Sequence, residues 1–323
     1  MTRSAGSILL LLLGVVLGLL AAEAFVRLLA PGPHERSGYA PVNTRRRWGG
    51  PTNSRGYRDE ERSLAKPAGT HRIVALGDSF AWGAGVEFED AYPQRLQRML
   101  RRRRRERWEV VNLARPGMNT VEQAAQLAEE GLAYDPDLVL LGYCLNDSED
   151  ESAAELRRAR DWEELRAERQ GRRPDTMLER SALYRFVGGR LRATIETRRR
   201  IANYRSQYRD DYAGWIAGRQ ALEDMGRRCR ERRIPFVVVV FPLFGNPLGA
   251  DYPFVGVHAL VDRAATAAGA HVVELLPAYR GLRWELLVVD GVDDEHPNEI
   301  AHRIAANVIL SSLDDVLPAP PAP

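Results

Sequence analysis

The chain has 323 residues, 45% hydrophobic and 28% charged, an ordinary balance for a globular protein with enough chain for one large core or two modest ones. Its formal net charge of +2 argues against nucleic acid as the main partner, although Lys66 is the sole lysine and almost every positive charge is an arginine. The two cysteines, Cys144 and Cys229, are too few and too far apart for a disulfide framework or a zinc site.

The N-terminus carries no charge from Ala5 to Ala22, a run of about 18 residues or about 27 Å of helix, close to the thickness of a bilayer core. Glu23 and Arg27 follow at a spacing that pairs them across one helical turn. This pattern reads as a signal anchor, residues 1–30; the competing reading is a cleaved signal peptide, with Arg3 as its positive n-region and Ala22-Glu23-Ala24 as a small-x-small cleavage site. Both readings send the rest of the chain out of the cytoplasm, either membrane-anchored or secreted. The distribution of flanking arginines adds little, because Arg27, Arg36 and Arg45 to Arg47 lie on the far side of the run.

Residues 31–70 are rich in Pro, Gly, Ser, Asn and Arg and read as a connecting arm. An alternation then begins. A strand from Arg72 to Leu76 ends in Gly77 and Asp78, and a helix from Pro93 to about Arg107 follows, with proline suited to its first position. The next strand, Trp108 to Asn112, leads through Arg115-Pro116-Gly117 to a helix from about Val121 to Leu132. The apolar run Leu138-Val139-Leu140-Leu141 then marks a strand from Asp137 to Tyr143. Strand, helix, strand, helix, strand is the signature of a parallel α/β sheet covered on both faces.

From about 148 to 212 the pattern is interrupted by a polar, helical insertion with opposite charges at helical spacing, such as Glu163 with Arg166. Alternation resumes with a helix from Trp215 to Arg232, a strand from Phe236 to Phe241, a helix from Val257 to Ala268, a strand from Val272 to Leu275 and a helix from Pro297 to about Leu313. The globular domain therefore covers 71–316, and 317–323 is a frayed tail.

Ser79, just past the first strand, lies on the sheet edge where α/β proteins bind ligands. A serine hydroxyl is a poor nucleophile near neutral pH and needs a base within reach and donors for the oxyanion. Of the six histidines, His296 alone sits in a loop beside carboxylates, in Asp290-Gly291-Val292-Asp293-Asp294-Glu295-His296. Asp293 is placed to hold one ring nitrogen while the other faces Ser79, with Asp290 in reserve. Gly117, lacking a side chain, can offer its backbone N–H after the second strand. Asn146 can offer its amide after the third. With the Ser79 N–H these make three converging oxyanion donors.

Gly77-Asp78-Ser79-Phe80, Gly117, Asn146-Asp147 and Asp293-x-x-His296 resemble, in order and rough spacing, the four blocks of the SGNH (GDSL-type) hydrolase family. The resemblance covers about Arg72 to Leu313. The anchor and Asn53-Ser54-Arg55-Gly56-Tyr57-Arg58-Asp59 also look like a membrane-anchored bacterial branch of it. Membership implies a flavodoxin-like sandwich with five parallel strands, metal-independent esterase or acyltransferase chemistry, and the roles above for Ser79, Gly117, Asn146, Asp293 and His296. Phe80 departs from the leucine of the family's name, and Cys144 stands where the third block usually has glycine.

Other readings of the same residues are set against these. Asp293 to His296 lack a second His or Cys at ligand spacing, which argues against a metal, and the paired acids a magnesium phosphatase needs after its first strand are absent. Arg101 to Arg105, with Arg107, is a solvated helix end or, alternatively, a contact for anionic lipid headgroups or polysaccharide. Ile201, Tyr204, Tyr208, Tyr212 and Trp215 are the buried face of a helix or, alternatively, a wall for an acyl chain or sugar ring. The expectation is a serine esterase acting without a cofactor on an O-acyl group of a glycan or lipid outside the cytoplasm. Its rivals are an O-acyltransferase using the same residues and a silent envelope-binding module.

Overall fold

A computed structural model describes residues 2–29, 52–104, 106–150, 181–289 and 295–317. The chain divides into two compact units, residues 1–38 with 160–202, and residues 39–159 with 203–323. In the first unit, helix α1 (Thr2–Leu29) runs unbroken because its Leu, Val and Ala residues are good helix or membrane formers and no proline interrupts them. Its Gly6–Leu28 segment, 23 residues of mean hydropathy 2.6, is long and apolar enough to cross a membrane.

The elements that follow are β1 (Thr70–Gly77), α2 (Ser79–Trp82), α3 (Tyr92–Arg104), β2 (Arg107–Asn112), α4 (Thr120–Glu129), β3 (Leu138–Tyr143), α5 (Ala182–Ser206), α6 (Ala213–Glu231), β4 (Phe236–Val240), α7 (Val255–Ala267), β5 (His271–Glu274), α8 (Leu276–Tyr279) and α9 (Glu299–Ser312). Most of α5 belongs to the first unit, where the Glu23 carboxylate caps it. That carboxylate accepts from the Ser181 hydroxyl at 2.7 Å and from the Ala182 and Leu183 N–H groups at 2.8 Å.

The second unit is built on a five-stranded parallel sheet of order β2-β1-β3-β4-β5, flanked by helices, the α/β architecture expected from the alternation. Burial on both faces explains why β3 and β4 are unbroken apolar runs: Leu138 to Leu141 and Val237 to Val240 are all 0% exposed. The chain steps from β1 to β2 on one side and then to β3 on the other, so the strand order reverses at β1. That reversal opens a crevice at the strands' C-terminal ends. Register aligns Ala75 with Asn112 and Gly77 with Gly142, which brings the segments after β1, β2 and β3 to one edge.

Element ends depart from the sequence expectations where side chains cap the backbone. The last helix starts at Glu299 and not at Pro297, because the Asn298 side chain accepts from Ile300 and Ala301 N–H while Pro297 pairs with Val288 in an antiparallel bridge. Helix α3 stops at Arg104, since Arg107 already pairs with Thr70 of β1. Of its arginine run, Arg103 and Arg104 reach Asp314 at 2.6 and 3.2 Å, and Arg101 donates to the Trp108 carbonyl at 2.7 Å.

The stretch read as an arm is packed from Asn53 on. Asn53 accepts from Arg55 and Tyr57 N–H, folding a turn around Gly56 (φ 81°), and the following Tyr57, Arg58 and Asp59 are buried. Arg58 reaches the carbonyls of Trp82, Gly83 and Val86 and so clasps the exit of α2. Of the stretch read as an insertion, residues 151–180 lie outside the described residues.

Helices α3 and α9 meet at His302, which is fully buried and accepts from the Tyr92 N–H at 3.2 Å. Burial, reinforced by the nearby Arg95 and Arg58 charges, holds its imidazole neutral with a pKa lowered from 6.5 to about 3. The unfolded chain therefore binds a proton below pH 6.5 that the native state refuses until about pH 3. Stability contributed here is complete above pH 6.5 and falls as pH drops, by about 1.4 kcal/mol per unit. Urea midpoints measured between pH 7 and pH 5 are expected to fall more steeply for the wild type than for His302→Gln; parallel slopes would show that the imidazole is not held neutral.

Candidate active site

The turn at the end of β1 is shaped by three residues with separate tasks. Gly77 takes φ 152°, a conformation few side chains accept, and a Cβ there would stand 2.7 Å from the Ala81 Cβ and 3.0 Å from the Gly142 carbonyl. Asp78 is the N-cap of α2, its carboxylate accepting from the Phe80 N–H at 2.9 Å. Ser79 is thereby the first residue of that short helix, 7% exposed, on the sheet's ligand-binding edge.

His296 arrives from the far end of the sequence. Its carbonyl accepts from the Val289 N–H at 3.1 Å, and Asn298 N–H donates to the Leu287 carbonyl at 2.8 Å, so the residues before α9 are pinned to the 287–289 segment. Asn298 locks this further by donating to the carbonyls of Leu286 and Val288. The result is a direct hydrogen bond of 2.9 Å between His296 Nε2 and Ser79 Oγ. The His296 ring also leans on Phe80, with centroids 5.7 Å apart, and Phe80 in turn packs on Phe241 and Phe244. Phe80, the departure from the family's leucine, is therefore a packing residue, 4% exposed.

Gly117 lies in the turn after β2 with φ 80° and is buried. Asn146 sits in a 3-10 turn, Leu145–Ser148, directly after β3 and is 8% exposed. Both occupy the edge that bears Ser79. Asp293 and the reserve Asp290 lie outside the described residues. Cys144 is 2% exposed, and burial with the carboxylates of Asp78 and Asp147 pushes its thiol well above the ordinary range, so it stays protonated and inert. Among the described residues no cluster of His, Cys, Asp or Glu is disposed to hold a metal ion.

Some contributors to this edge were not assigned to it by composition or periodicity. Arg58 falls in a stretch that composition marks as a linker, and only its clasp on the turn after Trp82 reveals its place. The aromatic spacing did mark Tyr208 and Trp215 as buried, 4% and 1% exposed, but the helix stops at Ser206 and the intervening chain turns, so they do not form one helical face. Their rings lie 5.0 Å apart, against the segment that carries Asn146.

A family model described as GDSL-like lipase/acylhydrolase matches residues 75–304. No curated protein matches the sequence. Among solved structures, the chain is similar to TesA, at 16% identity and a TM-score of 0.46 over 76% of this chain and 100% of that one. It is also similar to a two-domain esterase active on acetylated mannans, at 16% identity and a TM-score of 0.47, over 79% of this chain and 53% of that one. A mutant acetyl-xylooligosaccharide esterase from Geobacillus Stearmophilus gives 15% identity and a TM-score of 0.46, over 75% of this chain and 94% of that one.

Proposed function

From the chain's membership of the GDSL-like lipase/acylhydrolase family, which makes it a hydrolase of ester bonds, we propose that it works by acyl-enzyme catalysis with Ser79 as nucleophile and His296 as base. The observation that carries this reading is the 2.9 Å hydrogen bond between Ser79 Oγ and His296 Nε2. As Oγ attacks the ester carbonyl carbon, Nε2 takes the hydroxyl proton. The negative charge that grows on the carbonyl oxygen is met by the Ser79 N–H, the Gly117 N–H and the Asn146 amide. The imidazolium then returns the proton to the departing alcohol oxygen, leaving the acyl group on Ser79. Water, deprotonated by the same Nε2, attacks the acyl-enzyme and frees the acid. Asp293 takes the orienting role at the other ring nitrogen.

The substrate is an O-acylated glycan or lipid outside the cytoplasm. The location is supported by α1, whose 23-residue span of high mean hydropathy suits a membrane anchor or an export signal. The test is covalent labelling of the full-length chain in detergent with a fluorophosphonate serine probe. Labelling of the wild type that disappears in Ser79→Ala is expected, because only a serine with an adjacent base reacts readily. A folded wild type that stays unlabelled, or a Ser79→Ala variant that labels equally, would overturn the assignment.

A further inference from the structure

The Asn146 side chain is not oriented by a hydrogen bond to its carbonyl oxygen: Oδ1 is buried and has no partner among the described residues. Its direction must therefore come from the backbone that carries it. That backbone is held from two sides. On one, the first residue of α4 supplies the Thr120 hydroxyl to the Asp147 carbonyl at 3.2 Å, and its N-cap supplies the Asn119 amide to the Glu149 carbonyl at 3.1 Å. On the other, the Tyr208 hydroxyl donates to the Leu145 carbonyl at 3.0 Å. The Leu145 carbonyl belongs to the same rigid peptide plane as the Asn146 N–H, so anchoring that oxygen fixes the plane from which Asn146 projects.

Tyr208 has one proton, committed to Leu145, so the 3.0 Å contact with the Tyr143 hydroxyl has Tyr143 as its donor. The chain Tyr143 to Tyr208 to Leu145 is buried throughout, with exposures of 0%, 4% and 0%. Bonds in such a dry chain polarise and strengthen one another. Nearby, the Tyr212 hydroxyl accepts from the Asp150 N–H at 3.4 Å, and Gly214 presses its backbone so close to the Ser148 carbonyl that no Cβ fits between them. Tyr208 and Tyr212 lie on the short link between α5 and α6, Gly214 in the first turn of α6, and all three hold the 145–150 segment that bears Asn146.

We propose that Tyr208 is a positioning residue for the Asn146 oxyanion donor, a latch from the α5–α6 link on the Leu145–Asn146 peptide. The inference rests on the role given to Asn146 above. Removing the latch leaves substrate binding intact and lets the amide drift from the place where the transition-state charge develops. The loss therefore falls on kcat and not on KM.

The test is steady-state hydrolysis of p-nitrophenyl acetate by the full-length chain in detergent, comparing Tyr208→Phe, Asn146→Ala and the double variant. Asn146→Ala is expected to lower kcat by about 100-fold or more. Tyr208→Phe, which keeps the ring against Trp215, is expected to lower kcat by about 10-fold with KM nearly unchanged. The double variant is expected to be no slower than Asn146→Ala alone, since a latch with nothing to position has no effect. Tyr208→Phe at the wild-type rate, or losses that multiply in the double variant, would overturn the latch while leaving the oxyanion role of Asn146 standing. Asn146→Ala at the wild-type rate would instead remove that role, and the latch with it. Should Tyr208→Phe unfold, Tyr143→Phe carries the same test: it spares the bond to Leu145 but removes its polarising donor, so a smaller kcat loss, again absent on the Asn146→Ala background, is expected. No loss would overturn the proposal.

Discussion

Replacing Ser79 by alanine is expected to lower kcat for ester hydrolysis by about a millionfold, and replacing His296 by alanine to do nearly as much. The hydroxyl without its base is a weak nucleophile, and the base without its hydroxyl has nothing to activate. Because the two are joined by one 2.9 Å hydrogen bond, they are expected to act as a unit. The double variant should therefore be scarcely slower than either single one, the non-additivity expected of residues serving one step. Neither change should unfold the protein. Asp78, not Ser79, caps α2, and the residues beside His296 are held through backbone bonds and through Asn298. Circular dichroism should match the wild type while steady-state turnover of p-nitrophenyl acetate vanishes. A residual rate within tenfold of the wild type in either variant would sink the assignment of that residue.

Gly77→Ala should be among the most damaging single-methyl additions in the chain, lowering stability by about 3 kcal/mol or more. Two costs combine. At φ 152° a side chain strains its own backbone, and the new Cβ would lie 2.7 Å from the Ala81 Cβ and 3.0 Å from the Gly142 carbonyl. Neither neighbour can yield cheaply: Ala81 is fully buried in α2, and Gly142 is locked in register with Gly77 itself. Whatever relaxation occurs must shift α2, which carries Ser79, so fluorophosphonate labelling should slow along with the drop in urea midpoint. Gly249→Ala is the matched control. A Cβ there meets nothing within 4 Å, and its midpoint should hardly move. Equal midpoints for Gly77→Ala and the wild type would show that the turn has more freedom than its geometry implies.

Much of the candidate site on the Ser79 edge was legible because its signals are local. Gly77, Asp78 and Ser79 follow an apolar run, and a glycine, a capping acid and a small hydroxyl residue are what a sharp turn from strand into helix needs. His296 stood out among six histidines for the carboxylates beside it and the helix after it. The place of Arg58 was not legible, although its stretch resembled a branch of the family. An arginine in a stretch of Pro, Gly, Ser and Asn carries no periodicity, and its burial depends on three carbonyls contributed by residues on the far side of β1. The same holds for the tyrosine chain, in which spacing suggested burial but gave no hint that Tyr208 would reach Leu145 and not a ligand.

By itself, then, the amino-acid order determined what short-range physics can determine. Continuous Val, Leu and Ile runs made buried parallel strands, amphipathic segments made the covering helices, and an 18-residue window of hydropathy set α1 apart from both. Only the tertiary structure decided which distant groups meet. The sheet order β2-β1-β3-β4-β5 brings three loops to one edge, and the pairing of the 287–289 segment with the residues before α9 closes a separation of 217 residues to a single hydrogen bond between His296 and Ser79. Helix and turn preferences act over a few residues, whereas these encounters depend on loop closure and on packing that exists only when all five strands are in register.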